Sequence, residues 1–225
     1  MKGTLVNTAT VLLGSSLGLL IGVRFPERIK TVVMHALGLS TLLIGFKMAF
    51  KTDNVLLVIG SLALGGIIGE LIKLEEGLEG LGEFIKVKVK SQSGNFVLGF
   101  VTSSLVFCIG PMTIIGSIQD GVSGDASVLY VKSLLDGFAS MAFASSLGIG
   151  VIFSSVTVLV FQGGLTLLGE KLSFLLRPAV MNELVATGGL IMVGIGIYLL
   201  GIKRIKVANF LPSLVIAVIL ALLFK

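Results

Sequence analysis

Apolar runs of roughly 20 residues recur along almost the whole chain, near residues 3–23, 31–50, 54–73, 95–115, 128–148, 150–168, 184–201 and 206–224. About 20 residues at 1.5 Å each carry an α-helix across some 30 Å of hydrocarbon. The pattern therefore predicts an all-α, polytopic transmembrane helix bundle of about eight spans, forming a single transmembrane domain over residues 1–225. The fifth run is interrupted by Lys132 and Asp136. A broken or re-entrant helix over IQDGVSGDASVLYVKSLLDG, residues 118–137, would reduce the count to seven.

One long segment separates the runs, EEGLEGLGEFIKVKVKSQSG at 75–94. Leu71, Leu74, Leu78, Leu81 and Ile85 recur at spacings of three and four, with Glu75, Glu76, Glu79 and Glu83 elsewhere, which is the signature of an amphipathic helix. It is expected to lie along the cytoplasmic interface, where Lys86, Lys88 and Lys90 would meet anionic headgroups; a solvated linker is the plainer alternative. A second regularity compares the two ends of the chain. A shift of 151 residues lays Gly38 and Gly45 over Gly189 and Gly196, and spans 1–3 and 6–8 share an order of helices and charged loops, so an inverted repeat of these two groups is one reading.

Glycine accounts for 30 residues, roughly twice its usual share. Gly14, Gly18 and Gly22 fall every fourth residue on one face of the first span, and Ser140, Ala144 and Gly148 repeat the spacing in the fifth. Small residues in this pattern let helices approach closely, and in lipid such packing takes over the role that the hydrophobic effect plays in water. Lining a narrow pore is the sharper alternative.

Composition fits the same picture: 55% of residues are hydrophobic and 13% charged, with a mean hydropathy of +1.08. The net charge of +5 needs no nucleic acid to explain it. The loops after spans 1, 3, 5 and 7 hold Arg24, Arg28, Lys30, Lys73, Lys86, Lys88, Lys90, Lys203, Arg204 and Lys206, the majority of the 17 basic residues. The positive-inside bias places these loops in the cytoplasm and both termini outside. The first span reaches Val23 with no A-x-A-like site and is followed by Arg24, Arg28 and Lys30, so it reads as a retained span rather than a cleaved leader. Cys108 is the sole cysteine and His35 the sole histidine. No disulfide within the chain can form, and a metal site of the His/Cys type lacks ligands.

Candidate chemistry gathers between residues 116 and 137. Lys132 and Asp136 are four apart, share a helical face and can pair, and that face continues through Ser140. Gln119, Asp120 and Asp125 stand among Gly116, Gly121 and Gly124, which favour a turn or unwound backbone. Such backbone, tolerated at membrane depth only inside protein or beside water, could hold an ion; capping of the following helix by Asp125 or Ser127 is the structural alternative. Asn7 shares the glycine face of span 1, Gln162 interrupts span 6, Glu183 opens span 7 and Asn209 precedes Pro212 in span 8. No H-E-x-x-H, G-x-S-x-G or P-loop is present, and Ser133 has no evident histidine partner, so no enzymatic activity and no cofactor are expected.

The segments GTLVNT (3–8), GELIKLEEGLE (69–79), GSIQDGVSGD (116–125), KSLLDGFAS (132–140), FQGGLTLL (161–168), NELVATGGLIMVGIGI (182–197) and IKVANFLPSLVIA (205–217) together resemble the bacterial YdfK/YqgA family of integral membrane proteins. The likeness covers nearly the whole chain. It implies a multi-pass protein of the bacterial cytoplasmic (inner) membrane, and the family's own function being unknown, it implies no substrate. The residues themselves lead to the expectation of a small transporter or channel for a monovalent cation, proton or small polar solute. In it Asp120, Asp125 and Asp136 would bind the cation, Lys132 would compensate charge in the empty site, and Asn7, Gln119, Gln162, Glu183 and Asn209 would add polar ligands. The lipid bilayer and further copies of the chain are the expected partners. An accessory protein, whose charges are structural and whose glycine seams bind another subunit, is the competing reading.

Overall fold

The computed structural model describes residues 1–224, and every regular element among them is helical. In chain order the α-helices are α1 (Lys2–Gly22), α2 (Glu27–Ala49), α3 (Val55–Leu71), α4 (Leu74–Lys88), α5 (Phe96–Cys108), α6 (Pro111–Val122), α7 (Ser127–Leu147), α8 (Ser154–Leu167), α9 (Gly169–Leu172), α10 (Pro178–Leu199) and α11 (Pro212–Leu223). Short 3-10 turns at Ile149–Phe153 and Val207–Phe210 lead into α8 and α11. Two compact units emerge: Met1–Met34 with Glu79–Ser173, and His35–Leu78 with the chain from Phe174 onward.

All eight apolar runs fall on helices, but not all are uninterrupted spans. Four segments are long and apolar enough to cross a membrane: Lys2–Gly22, Glu27–Ala49, Ile149–Leu167 and Pro178–Leu199. Two bent pairs raise the number to six, α3 with α4 (54°) and α5 with α6 (61°). The expected count of about eight is thus four to six by length and hydropathy. The segment Val207–Leu223 is apolar but shorter. Helix α7 has 21 residues, yet Lys132, Asp136 and its serines dilute its hydropathy, because much of its polar content faces protein.

The broken backbone expected around Gly116 and Gly121 lies elsewhere. Both glycines are inside α6, and the break precedes them at Ile109–Gly110. Pro111 opens α6 at a position where its missing N–H costs nothing and biases Gly110 toward extended backbone, with ψ 147°. Gly116 and Gly121 serve close approach: a Cβ on the first would strike Leu129, and one on the second the Thr166 carbonyl. Only Gly124 leaves the helix, at φ +73°.

In the first unit α1 lies along α7. A Cβ on Gly14 would collide with the Gly137 carbonyl and Ser140 Oγ, one on Gly18 with the Met141 backbone, and one on Gly22 with the Ser145 carbonyl. Ser140 and Ala144 are buried near this seam, while Gly148 caps α7 at φ +83°. The opposite face of α1 carries Leu13, Leu17 and Leu20, all exposed. This small-inside, apolar-outside division suits a helix that meets protein on one side and lipid on the other.

In the second unit α3 meets α11 and the turn before it: Gly65 faces Ser213 and Gly69 faces the Asn209 carbonyl. Helices α2 and α10 bring Gly45 to Gly189 and Gly38 to the side of Gly196. The two contacts, Gly45 with Gly189 and Gly38 with Gly196, run antiparallel at the same seven-residue spacing.

Candidate functional site

The first unit contains a buried polar network built from α1, α7 and α8. Asn7 and Gln162 have no solvent exposure, and Lys132 and Asp136 are buried with them. Lys132 Nζ donates to Asp136 Oδ2 within one helix turn. The same Oδ2 accepts from Asn7 Nδ2 at 3.0 Å, and Asn7 Nδ2 also donates to Gln162 Oε1 at 2.9 Å. The opposite orientation of the Asn7 amide would set its oxygen against two acceptors, so the donor assignment follows from the partners.

From Gln162 the network runs on. Its Nε2 donates to Thr4 Oγ1 at 3.2 Å, Thr4 and Thr166 hydroxyls meet at 3.2 Å, and Thr166 Oγ1 donates back to the Gln162 carbonyl at 2.9 Å. Because Thr166 spends its proton on that carbonyl, Thr4 is the donor between the hydroxyls. The order is one-way, each group donating to the next away from Asp136. Two of its members are amides that hold their protons, and the bonds to Asp136 and Gln162 fix the Asn7 side chain. One strong acceptor is left over: Asn7 Oδ1 is buried without a partner, which ordinarily costs about 1–3 kcal/mol.

Of the residues singled out in the sequence, Asn7, Lys132, Asp136 and Gln162 come together here. Asp120 is buried on α6 but serves the start of α1, accepting from the Gly3 N–H at 3.1 Å and pairing with the Met1 ammonium at 2.9 Å. Gln119 is half-buried on the same helix. Asp125 is exposed and accepts from Ser127 N–H at 3.0 Å and Ser127 Oγ at 2.6 Å. That hydroxyl, with the amide, holds the Asp125 carboxyl below its ordinary range. Asp125 thus bonds the first residue of α7, whose cap position, Ala126, carries no side-chain hydrogen bond.

Glu183 and Asn209 belong to the second unit, where each ties a loop. Glu183 accepts from Thr52 Oγ1 at 2.5 Å and from the N–H groups of Asp53 and Asn54 at 3.0 and 3.2 Å, just ahead of α3. Asn209 Oδ1 accepts the Glu75 N–H at 2.7 Å, and its Nδ2 donates to Glu70 Oε2 at 2.6 Å. Lys206 closes on Glu70 at 3.0 Å, and this carboxylate holds the ammonium above its usual range. Glu75, expected on the polar face of an interfacial helix, is instead buried, its Oε2 accepting the Ala208 N–H at 2.8 Å. Asn209→Ala, by stranding the buried Glu75 N–H and taking a donor from the Glu70 carboxylate, should lower unfolding stability by about 1–3 kcal/mol, read as a drop in Tm in detergent.

Thr4 and Thr166 are the participants that sequence reasoning missed. The signal was helical spacing: Thr4 is three residues before Asn7, and Thr166 four after Gln162, so each shares a face with an amide already singled out. A half-open cavity of about 210 Å³ also lies in this unit, lined by Lys30, Ser93, Asn95 and Ser145 among others. No residue of the network lines it. Among the described residues no group of three or more His, Cys, Asp or Glu side chains could hold a metal ion.

Residues 2–222 match the family described as protein of unknown function (DUF554). The chain belongs to the DUF554 family. Among the relatives of this DUF554 chain, the uncharacterized protein YqgA of Escherichia coli (strain K12) is 34% identical over 220 residues, covering 96% of this chain and 94% of the relative. The uncharacterized membrane protein YdfK of Bacillus subtilis (strain 168) is 30% identical over 220 residues, covering 96% and 93%. No solved structure gives a significant match. Membrane character thus rests on the apolar helices of the DUF554 chain together with the description of YdfK.

Proposed function

We propose that this multi-pass membrane protein moves a cation or small polar solute across the bacterial inner membrane, using the α1–α7–α8 network as its binding site. The observation that carries the reading is the burial of an ion pair and two amides, one with an unpartnered oxygen, in a helical unit whose outer face is apolar. Charges at membrane depth are costly, about 2.5–3.5 kcal/mol each on insertion scales, and tend to mark ion or substrate paths. Asp136 is the anionic ligand in this reading, Lys132 its counter-charge, and Asn7 and Gln162 the neutral ligands. Asp120 and Asp125 are left to their helix-starting partners. Ser133 Oγ donates to the Leu129 carbonyl at 2.6 Å, which fits a carrier better than an enzyme with a serine nucleophile. Basic loops in the cytoplasm and both termini outside complete the reading.

The test is flux. The chain reconstituted alone in liposomes should carry Li⁺, Na⁺, K⁺ or a small polar solute, and Asp136→Asn should reduce that flux at least tenfold while Asp125→Asn leaves it near the parent's. Flux unchanged in Asp136→Asn would remove the network from the path. No flux of any kind from the parent would favour an accessory protein with a structural ion pair.

A further inference from the structure

We infer that the half-open cavity of the first unit binds the phosphate headgroup of an anionic phospholipid, with Lys30, Ser93, Asn95 and Ser146 as its donors. This site is independent of the transport reading, because no residue of the α1–α7–α8 network lines the cavity. Its position follows from where helices stop and start. Helix α1 ends at Gly22 and α7 at Leu147, while Lys30 lies in the opening turn of α2 and Asn95 directly precedes α5. Gly148 ends α7 at φ +83°, backbone that favours glycine, and a Cβ there would meet Ser93 Oγ at 3.3 Å. The segment ahead of α5 therefore closes over the end of α7, and the cavity left beside them measures about 210 Å³. That is several times the roughly 30 Å³ share of a water molecule, so it has room for a polyatomic group.

Donors in search of an acceptor line this space. Ser146 Oγ is buried with no hydrogen-bond partner, where such a group ordinarily has one. Asn95 is the N-cap of α5 yet makes no capping bond with its side chain, which leaves its amide N–H groups for another acceptor. Lys30 donates to Glu27 Oε1 at 2.7 Å, and an ammonium has three N–H groups to give. With side chains 29% and 85% exposed, that pair is worth little and does not withhold the ammonium. Two helices end at the cavity, α1 and α7, and two begin there, α2 and α5. Their terminal partial charges offset one another, and Lys30 sets the sign. A cation with neutral donors around it fits an oxyanion.

The bilayer is the source of that oxyanion. Helix α1 is long and apolar enough to cross a membrane, so its end at Gly22 reaches the depth of the lipid phosphates. Arg24, Arg28 and Lys30 follow it, against one acidic residue, Glu27, and basic residues beside the end of a span attract anionic headgroups. Val23 lines the cavity and is 86% exposed. One turn earlier, exposed Leu20 begins the apolar face that continues through Leu17 and Leu13. A phosphate held by Lys30 thus has apolar surface next to it for the acyl chains of the same lipid, which a free anion would leave bare.

Dioleoyl phosphatidylglycerol titrated into the purified full-length chain in neutral detergent is the test, at about 0.5 M NaCl so that charges on the open surface are screened. One molecule per chain should be retained, counted as lipid phosphorus in the gel-filtered protein, with a saturable rise in Tm. Dioleoyl phosphatidylcholine and inorganic phosphate at the same concentration should give neither. Lys30→Gln and Asn95→Ala should each weaken the apparent affinity about tenfold, the loss expected for a bond to a charged group. Lys88→Gln removes an exposed charge that does not line the cavity and should leave the affinity near the parent's. Should Lys30→Gln not fold, Asn95→Ala and the comparison of ligands on the parent chain decide. Four results would each overturn the inference. Equal retention of phosphatidylcholine would assign binding to the acyl chains alone. Inorganic phosphate acting as well as the lipid would make the ligand a free anion. A loss in Lys88→Gln as large as in Lys30→Gln would assign binding to diffuse surface charge. Unchanged affinity in Lys30→Gln would place the headgroup outside the cavity.

Discussion

Asp136→Asn and Lys132→Met should each destabilise the folded protein by about 3–5 kcal/mol, and the double variant should lose less than either. Removing the carboxylate leaves a buried ammonium without its counter-ion, and removing the ammonium leaves a buried carboxylate with only Asn7 Nδ2 as donor. Removing both takes away the charge that made burial costly, leaving a neutral amide and an apolar side chain within the same helix turn. The amide that Asp136→Asn introduces would still offer an oxygen to Asn7, so the hydrogen-bonded network survives in the double variant. The measurement is a double-mutant cycle on unfolding midpoints in detergent, with a coupling energy well above the few tenths expected of independent sites. Strict additivity would mean that the two side chains do not depend on each other.

Helix content was legible in the chain because each buried or lipid-facing segment had to be apolar over most of its length. All eight runs overlap helices, and the termini of α1, α2 and α7 fall within a few residues of the expected limits. Continuity was harder to read. Pro111 inside the fourth run was the available signal for the bend at Ile109–Gly110, whereas the glycines at 116 and 121 drew attention as helix breakers. In a bilayer a helical glycine often marks close approach of another segment, and both do so here.

Polar residues were legible as a set but not as an arrangement. Lys132 and Asp136 pair at a local spacing, so their partnership could be stated from sequence. Asn7 meets Gln162 across 155 positions, and nothing local predicts which of the polar candidates will meet. Asp125, Glu183 and Asn209 looked equivalent to Asn7 and Gln162 because each is a polar side chain within an apolar run or close beside one. Their partners are mostly backbone N–H groups at helix starts and loops, which is where a short polar side chain most often finds one. Glu75 went unnoticed since heptad-like spacing of neighbouring leucines assigned it to the wet face of α4, while the tertiary partner Ala208 lies 133 positions away.

Gly18→Leu should prevent stable folding of the first unit, and even Gly18→Ala should cost at least the roughly 1–3 kcal/mol of an overpacked core. The obstacle facing a new Cβ is backbone, the Met141 carbonyl, with the Met141 Cα close behind it. Backbone of a continuous helix cannot rotate aside as a side chain can, so α1 and α7 must separate. Gly14 and Gly22 meet α7 carbonyls in the same way, and separation at Gly18 would therefore loosen the seam along most of its length. It would also pull Asn7 away from Asp136, so loss of the network should accompany loss of packing. Gly60→Ala on α3 is the internal control: its Cβ would meet nothing within 4 Å, and replacing a helical glycine by alanine is then expected to stabilise by about 0.5–1 kcal/mol. Expression level, monodispersity and Tm in detergent for the three variants measure the contrast. A Gly18→Leu protein as stable as the parent would mean that this face of α1 meets lipid, since only acyl chains could make room for the added side chain.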